Sequence, residues 1–171
     1  MYYTARLDQE VYEEDLPASP PADGLTVRRE YFTTSAQRLE DGTLRVVPSK
    51  TAVNVAKSGQ VLRCRLTLRA ERPLTYVMVE DPIPSNCRIV DTDKPSDGYS
   101  WSWWWDRSVF TDEKAVFFTR RLEAGKDMVV EYALRAEAAG ECTAMPATAF
   151  KMYQPDARVS TGGYALTVQR P

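Results

Sequence analysis

Histidine is absent from this 171-residue chain, and no other feature of the composition excludes as much chemistry. Without it there is no Ser-His-Asp or Cys-His hydrolytic centre, no His-containing zinc site and no imidazole to serve as a general base near neutral pH. Cysteine is scarce. Cys64, Cys87 and Cys142 are too few and too scattered for an all-thiolate zinc site, and their odd number leaves at least one thiol unpaired within a monomer. A surplus of positive charge is also missing: 22 Lys and Arg face 24 Asp and Glu, for a net charge of −2. A nucleic-acid binder needs such a surplus to displace counterions from phosphate, and a polybasic membrane-surface role needs one too. No apolar run approaches the roughly 18–20 residues of a membrane span. The start, Met1-Tyr2-Tyr3-Thr4, lacks the charged and apolar regions of a signal peptide. There is no GxGxxG, no phosphate-cradling glycine loop, no GxSxG and no EF-hand pattern. The expectation is a protein that is not an enzyme and carries neither cofactor nor metal.

What is present is the makeup of one globular domain, with 43% apolar and aromatic residues and 27% charged. The periodicity is two. Leu62, Cys64, Leu66 and Leu68 alternate with Arg63, Arg65, Thr67 and Arg69. Met128, Val130, Tyr132 and Leu134 alternate with Val129, Glu131, Ala133 and Arg135, and Tyr164, Leu166 and Val168 with Ala165, Thr167 and Gln169. Successive strand side chains point to opposite faces, so each run predicts a strand with one buried face. Weaker runs fall at 3–7, 25–32, 44–47, 76–79 and 115–118. The last two are apolar on both faces, which suits central strands or strands covered by a loop. Turn signals separate the runs: Asp41-Gly42, Ser58-Gly59, Ala124-Gly125-Lys126, Ala139-Gly140 and Gly162-Gly163. Residues 117–132 read as a hairpin about Gly125. The best helical candidates, 35–39 and 112–115, amount to about one turn. Roughly eight short strands predict an all-β antiparallel sandwich of the fibronectin type III or immunoglobulin-like kind, with long loops. Residues 1–24 form an N-terminal strand and a Pro-rich connection, residues 25–171 form the sandwich, and the whole chain is one domain.

Four constellations compete for function. Tyr99, Trp101, Trp103, Trp104 and Trp105 lie in a long irregular stretch. Such a cluster binds sugars, stacks bases or anchors an interface; equally, it caps one end of the sandwich. The carboxylate groups Glu13-Glu14-Asp15, Glu80-Asp81 and Asp112-Glu113 have no evident partner to shift a pKa, and read as solvated or hydrogen-bonding groups. Arg28-Arg29 and Arg120-Arg121 read as solvated edges. Met152 and Tyr153, in Lys151-Met152-Tyr153-Gln154-Pro155, either cap a partner surface or pack an ordinary strand end.

A resemblance runs through nearly the whole chain after Asp15. Residues 24–31 (GLTVRREY) look like the opening of the final domain of bacterial alpha-2-macroglobulins. Residues 79–85 (VEDPIPS) resemble its acid–Pro strand exit, and Trp103-Trp104-Trp105-Asp106-Arg107 with residues 114–118 (KAVFF) its aromatic loop and next strand. Residues 122–125 and 132–136 fit the following hairpin; Pro146-Ala147 and 152–155 (MYQP) fit the C-terminal end. Each motif is weak alone, and their order makes the match specific.

The resemblance implies a macroglobulin-like domain of a large exported bacterial protein, often tethered to the inner membrane, that traps proteases. There a cut bait segment triggers rearrangement, and a thioester in a separate helical domain bonds to the protease. The thioester forms within Cys-x-Glu-Gln, which this chain lacks: Cys64 is followed by Leu66-Thr67, Cys87 by Ile89-Val90 and Cys142 by Ala144-Met145 at the Glu-Gln positions. The final domain leans on the thioester domain, and a Met-Tyr pair keeps water from the bond. Carried over, those residues are Met152 and Tyr153. The implied partners are the thioester and macroglobulin-like domains of the same parent chain, and proteases through the full-length protein. The implied location is the periplasm or cell envelope. The rival reading is a carbohydrate-binding module using the tryptophans.

Overall fold

Alternation decides the central strands. Leu62, Cys64, Leu66, Leu68 and Ala70 are buried, while their neighbours Arg63, Arg65, Thr67 and Arg69 reach outward. Met128, Val130, Tyr132, Leu134 and Ala136 repeat the pattern on the strand beside them. The computed structural model describes residues 16–39, 41–90 and 107–171. Thirteen strands and no helix occur among them: β1 (Leu25–Arg38), β2 (Leu44–Pro48), β3 (Val55–Lys57), β4 (Val61–Ala70), β5 (Leu74–Pro82), β6 (Cys87–Ile89), β7 (Arg107–Phe110), β8 (Lys114–Leu122), β9 (Asp127–Ala136), β10 (Gly140–Ala144), β11 (Thr148–Lys151), β12 (Gln154–Ser160) and β13 (Tyr164–Gln169).

These strands form a sandwich-like all-β architecture. One sheet runs β2-β1-β4-β9-β6, a second β12-β11-β5-β8-β7, and a small third β10-β13-β3. The apolar inner faces meet in one continuous core that draws on all three sheets. Arg63 and Arg65 on β4 both ion-pair with Glu131 on β9 across the outer face. The two runs that are apolar on both faces, 76–79 and 115–118, lie in β5 and β8, at interior positions of their sheet.

Three expectations need correction. The stretch 117–132 is not a hairpin: β8 pairs with β5 and β7, while β9 pairs with β4 and β6 in the other sheet. The turn at Gly125 crosses the sandwich, and Gly125 donates its N–H to Ala70 at 2.8 Å as it does so. The helical candidates are not helical. Residues 35–38 extend β1 and pair with β2, which supplies the backbone partners a lone helical turn would leave unmet. Residues 112–113 form a bend that leads into β8. The strand count exceeds eight because edge pieces such as β3 and β6 span three residues, too few to display a period. One pair, β3 with β13, is parallel. The run 3–7 lies outside the described residues.

The fourth correction concerns charge. Arg29 is buried, at 5% exposure, rather than solvated, and Asp81, at 0%, is a hydrogen-bonding carboxylate with a partner the sequence did not show. Arg29 on β1 donates to Asp81 on β5 in the facing sheet at 2.6 Å, and to the carbonyls of Met145 at 2.7 Å and Ala144 at 3.0 Å. Asp81 also accepts from the Tyr132 hydroxyl on β9 at 2.7 Å and from the Cys64 thiol on β4 at 3.4 Å. Arg28, its side chain outward, pairs with Glu30 at 3.0 Å as a surface group.

Two outcomes follow from this network. Asp81→Ala leaves an unpaired buried guanidinium and should cost about 3–5 kcal/mol by urea unfolding. Glu80→Gln removes only a half-exposed pair with Lys114 and should cost at most about 1 kcal/mol; equal losses would refute the burial of Asp81. Burial also holds Cys64, Tyr31 and Tyr132 neutral well above their ordinary values of 9.0 and 10.0. The unfolded chain ionises them near those values, so above pH 9 it binds fewer protons than the folded chain. Stability should therefore fall as pH rises from about 9 to 11, read as a dropping urea midpoint; a flat profile would contradict it.

Candidate functional site

Met152 and Tyr153 form the tip of the β11–β12 hairpin. Register explains how. Thr148, Ala149 and Phe150 pair in step with Ser160, Val159 and Arg158, and then Lys151 pairs with Gln154. Three residues of β12, 155–157, therefore bulge where the partner strand has none. The bulge leaves Met152 and Tyr153 as the two central residues of a tight turn. Neither has a positive φ, so the turn is not of the primed kind that matches strand twist, and the bulge absorbs the mismatch.

The stem of this hairpin is fixed and its tip is bare. Ala149 and Val159 are buried in the core, and Phe150 is buried under the guanidinium of Arg158, 4.7 Å from the ring centroid. Lys151 bonds to Gln154 and to Asp23 in the turn before β1, and Asp23 also pairs with Arg72 after β4. The hydrogen bond from Lys151, with the charge of Arg72, holds the Asp23 carboxyl below its ordinary range. Beyond this base Met152 is 41% exposed and Tyr153 77% exposed. The packed-strand-end alternative for these two side chains does not describe what the structure shows.

A third residue belongs to the tip. Tyr76 on β5 accepts the N–H of Met152 at 2.8 Å, and its ring meets that of Tyr153 edge-on, with centroids 5.3 Å apart at 80°. Tyr76 sits at φ 54°, a left-handed conformation that costs a bulky residue about 1–2 kcal/mol. It is skipped in the pairing of β5 with β8 and is 46% exposed. Nothing in the run 76–79 signals this, because an apolar residue in an apolar strand carries no mark of its φ. Together Tyr76, Met152 and Tyr153 make a neutral apolar knob suited to docking on another surface.

The remaining candidates lie elsewhere. Tyr99, Trp101, Trp103, Trp104 and Trp105, like Glu13-Glu14-Asp15, are outside the described residues. Arg121 is exposed and pairs with Glu123 at 2.9 Å, and Asp112 and Glu113 are exposed. Among the described residues no group of three or more His, Cys, Asp or Glu is placed to hold a metal ion.

The profile of the bacterial alpha-2-macroglobulin MG10 domain matches residues 24–156, from the turn before β1 through the hairpin tip. This chain belongs to that family. Solved structures agree on the fold. The MG10 chain resembles the Salmonella alpha-2-macroglobulin reacted with methylamine, with a TM-score of 0.65 and 19% identity over 90% of this chain and 10% of that one. The Escherichia coli alpha-2-macroglobulin activated by porcine elastase gives 0.69 and 17% over 91% and 14%. Native Escherichia coli alpha-2-macroglobulin from domain MG7 to the C-terminus gives 0.65 and 16% over 89% and 24%. This chain thus spans between a tenth and a quarter of the structures it resembles. No curated protein matches its sequence.

The strain at Tyr76 is testable in the MG10 domain. Tyr76→Gly relaxes the backbone while Tyr76→Ala keeps the penalty, and both lose the ring. The Gly variant should be more stable than the Ala variant by about 1 kcal/mol in urea unfolding. Equal stabilities would show that the residue does not hold the left-handed conformation.

Proposed function

We propose that this MG10 domain works without chemistry of its own, as the C-terminal interaction and shielding domain of a bacterial alpha-2-macroglobulin. In this reading Met152 and Tyr153 lie over the thioester of a neighbouring domain in the same parent chain. The observation that carries it is the bare apolar tip on a buried, ion-paired stem. Leaving the Tyr153 ring in water brings the domain no burial of its own. The arrangement makes sense when a partner surface covers it.

A thioester survives only where water and amines are kept out, and a desolvating apolar lid does that. Covering Met152 and Tyr153 contributes up to about 1.5–3 kcal/mol each. That closes a lid, and a large rearrangement can still open it. Opening would follow cleavage of a bait segment by a protease, which the parent protein would then trap. Proteases are thus partners of the parent and not of this domain directly. The parent is exported to the periplasm or cell envelope, where such proteases are met.

The test uses the full-length parent protein. Tyr153→Ala should speed thiol release by methylamine about tenfold, the factor for a loss of about 1.4 kcal/mol in lid closure. Because Tyr153 is exposed, the variant should keep the melting temperature of the isolated domain. An unchanged release rate, or a parent chain without Cys-x-Glu-Gln, would overturn the shielding role.

A further inference from the structure

Cys87 and Cys142 converge on one atom. The thiol of Cys142 donates to Asn86 Oδ1 at 2.9 Å and that of Cys87 to the same oxygen at 3.4 Å. The two sulfurs are therefore no farther apart than those two lengths end to end. Each cysteine sits on a sheet edge: β6 closes the sheet that begins with β2, and β10 is an outer strand of the three-stranded sheet. No backbone pairing joins β6 to β10. Asn86 spans the gap instead. Its Nδ2 donates to the Gly140 carbonyl at 3.4 Å, and its own carbonyl accepts from Glu137 and Ala138 in the connection between β9 and β10. Both thiols are half-buried, whereas Cys64 is fully buried in the core.

We infer that Cys87 and Cys142 are a disulfide-forming pair that staples the β6 edge of one sheet to the β10 edge of another. Two thiols held on one acceptor begin close together, and a bridge forms when both turn from that oxygen toward each other. A shared metal is the other chemistry two thiols could serve, but no third His, Cys, Asp or Glu among the described residues joins them. The oxidant is a disulfide, either a small one or the oxidised form of a dithiol protein. One thiolate attacks it, forming a mixed disulfide and releasing one reduced thiol. The second thiolate then displaces the remaining thiol, so one donor disulfide is reduced to two thiols as the bridge forms. Burial first, and then Cys142 and Glu137 nearby, push the Cys87 thiol up to about 12. Cys64, neutral and sealed in the core, stays out of the exchange and acts as an internal reference.

The experiment takes the reduced chain, equilibrates it with oxidised and reduced glutathione, quenches with acid, and labels thiols with a maleimide after unfolding. The expected result is a chain lighter by two hydrogens without glutathione adducts. One thiol of three should label, and a proteolytic fragment should join the segments around Cys87 and Cys142. Cys142→Ser and Cys87→Ser should each abolish that fragment. Three labelled thiols, glutathione carried separately on Cys87 or Cys142, a bridge involving Cys64, or a bridge between two chains would each overturn the inference.

Discussion

The ion pair between Arg29 and Asp81 spans the sandwich, and much of the molecule is placed by it. A charged pair in an apolar interior is costly unless each partner is well supplied with hydrogen bonds. Here the supply comes from four directions. The carbonyls of Ala144 and Met145 accept from Arg29, and Tyr132 and Cys64 donate to Asp81. β1, β4 and β9 of one sheet are thereby tied to β5 of the other, to the end of β10 and to the connection leading from it into β11. Because strand side chains alternate, a slip of one residue would carry Arg29 or Asp81 to the wrong face. The pair thus sets register as well as holding the sheets together.

That placement reaches the hairpin. The carbonyls gripped by Arg29 lie just before β11, and β11 delivers the chain to Met152 and Tyr153. From there the stem is held by core packing at Ala149 and Val159, by Arg158 over Phe150, and by Lys151 on Asp23. Tyr76 takes a left-handed conformation to set its ring against Tyr153. A tip carried on an anchored stem has less backbone freedom to lose when it docks, so more of its apolar contact remains as binding free energy.

Several features were legible before any coordinates. Period-two alternation located β4, β9 and β13, because it records which face is dry; both-face apolarity located β5 and β8 as interior strands, although in β5 Tyr76 stands open on one face. The segments 24–31 and 152–155 carried the family likeness and the candidate tip. The role of Gly125 was misread, since a turn residue marks a reversal without saying which sheet the next strand joins. Arg28-Arg29 could not be divided into one outward and one buried guanidinium, because neighbouring residues of one type look alike until a strand has a facing sheet. The same holds for Glu80-Asp81.

By itself, then, the amino-acid order determined that this is a β domain, that its chemistry cannot rest on histidine, and which faces of its longest strands are buried. Those properties are local: they depend on residue type and on spacing along one strand. The folded arrangement alone decided that Arg29 meets Asp81, that Tyr76 stands beside Tyr153, and that the thiols of Cys87 and Cys142 share an oxygen. Each is a meeting between strands far apart in the chain. Such meetings depend on how the sheets are ordered and stacked, which the period of a single strand does not encode.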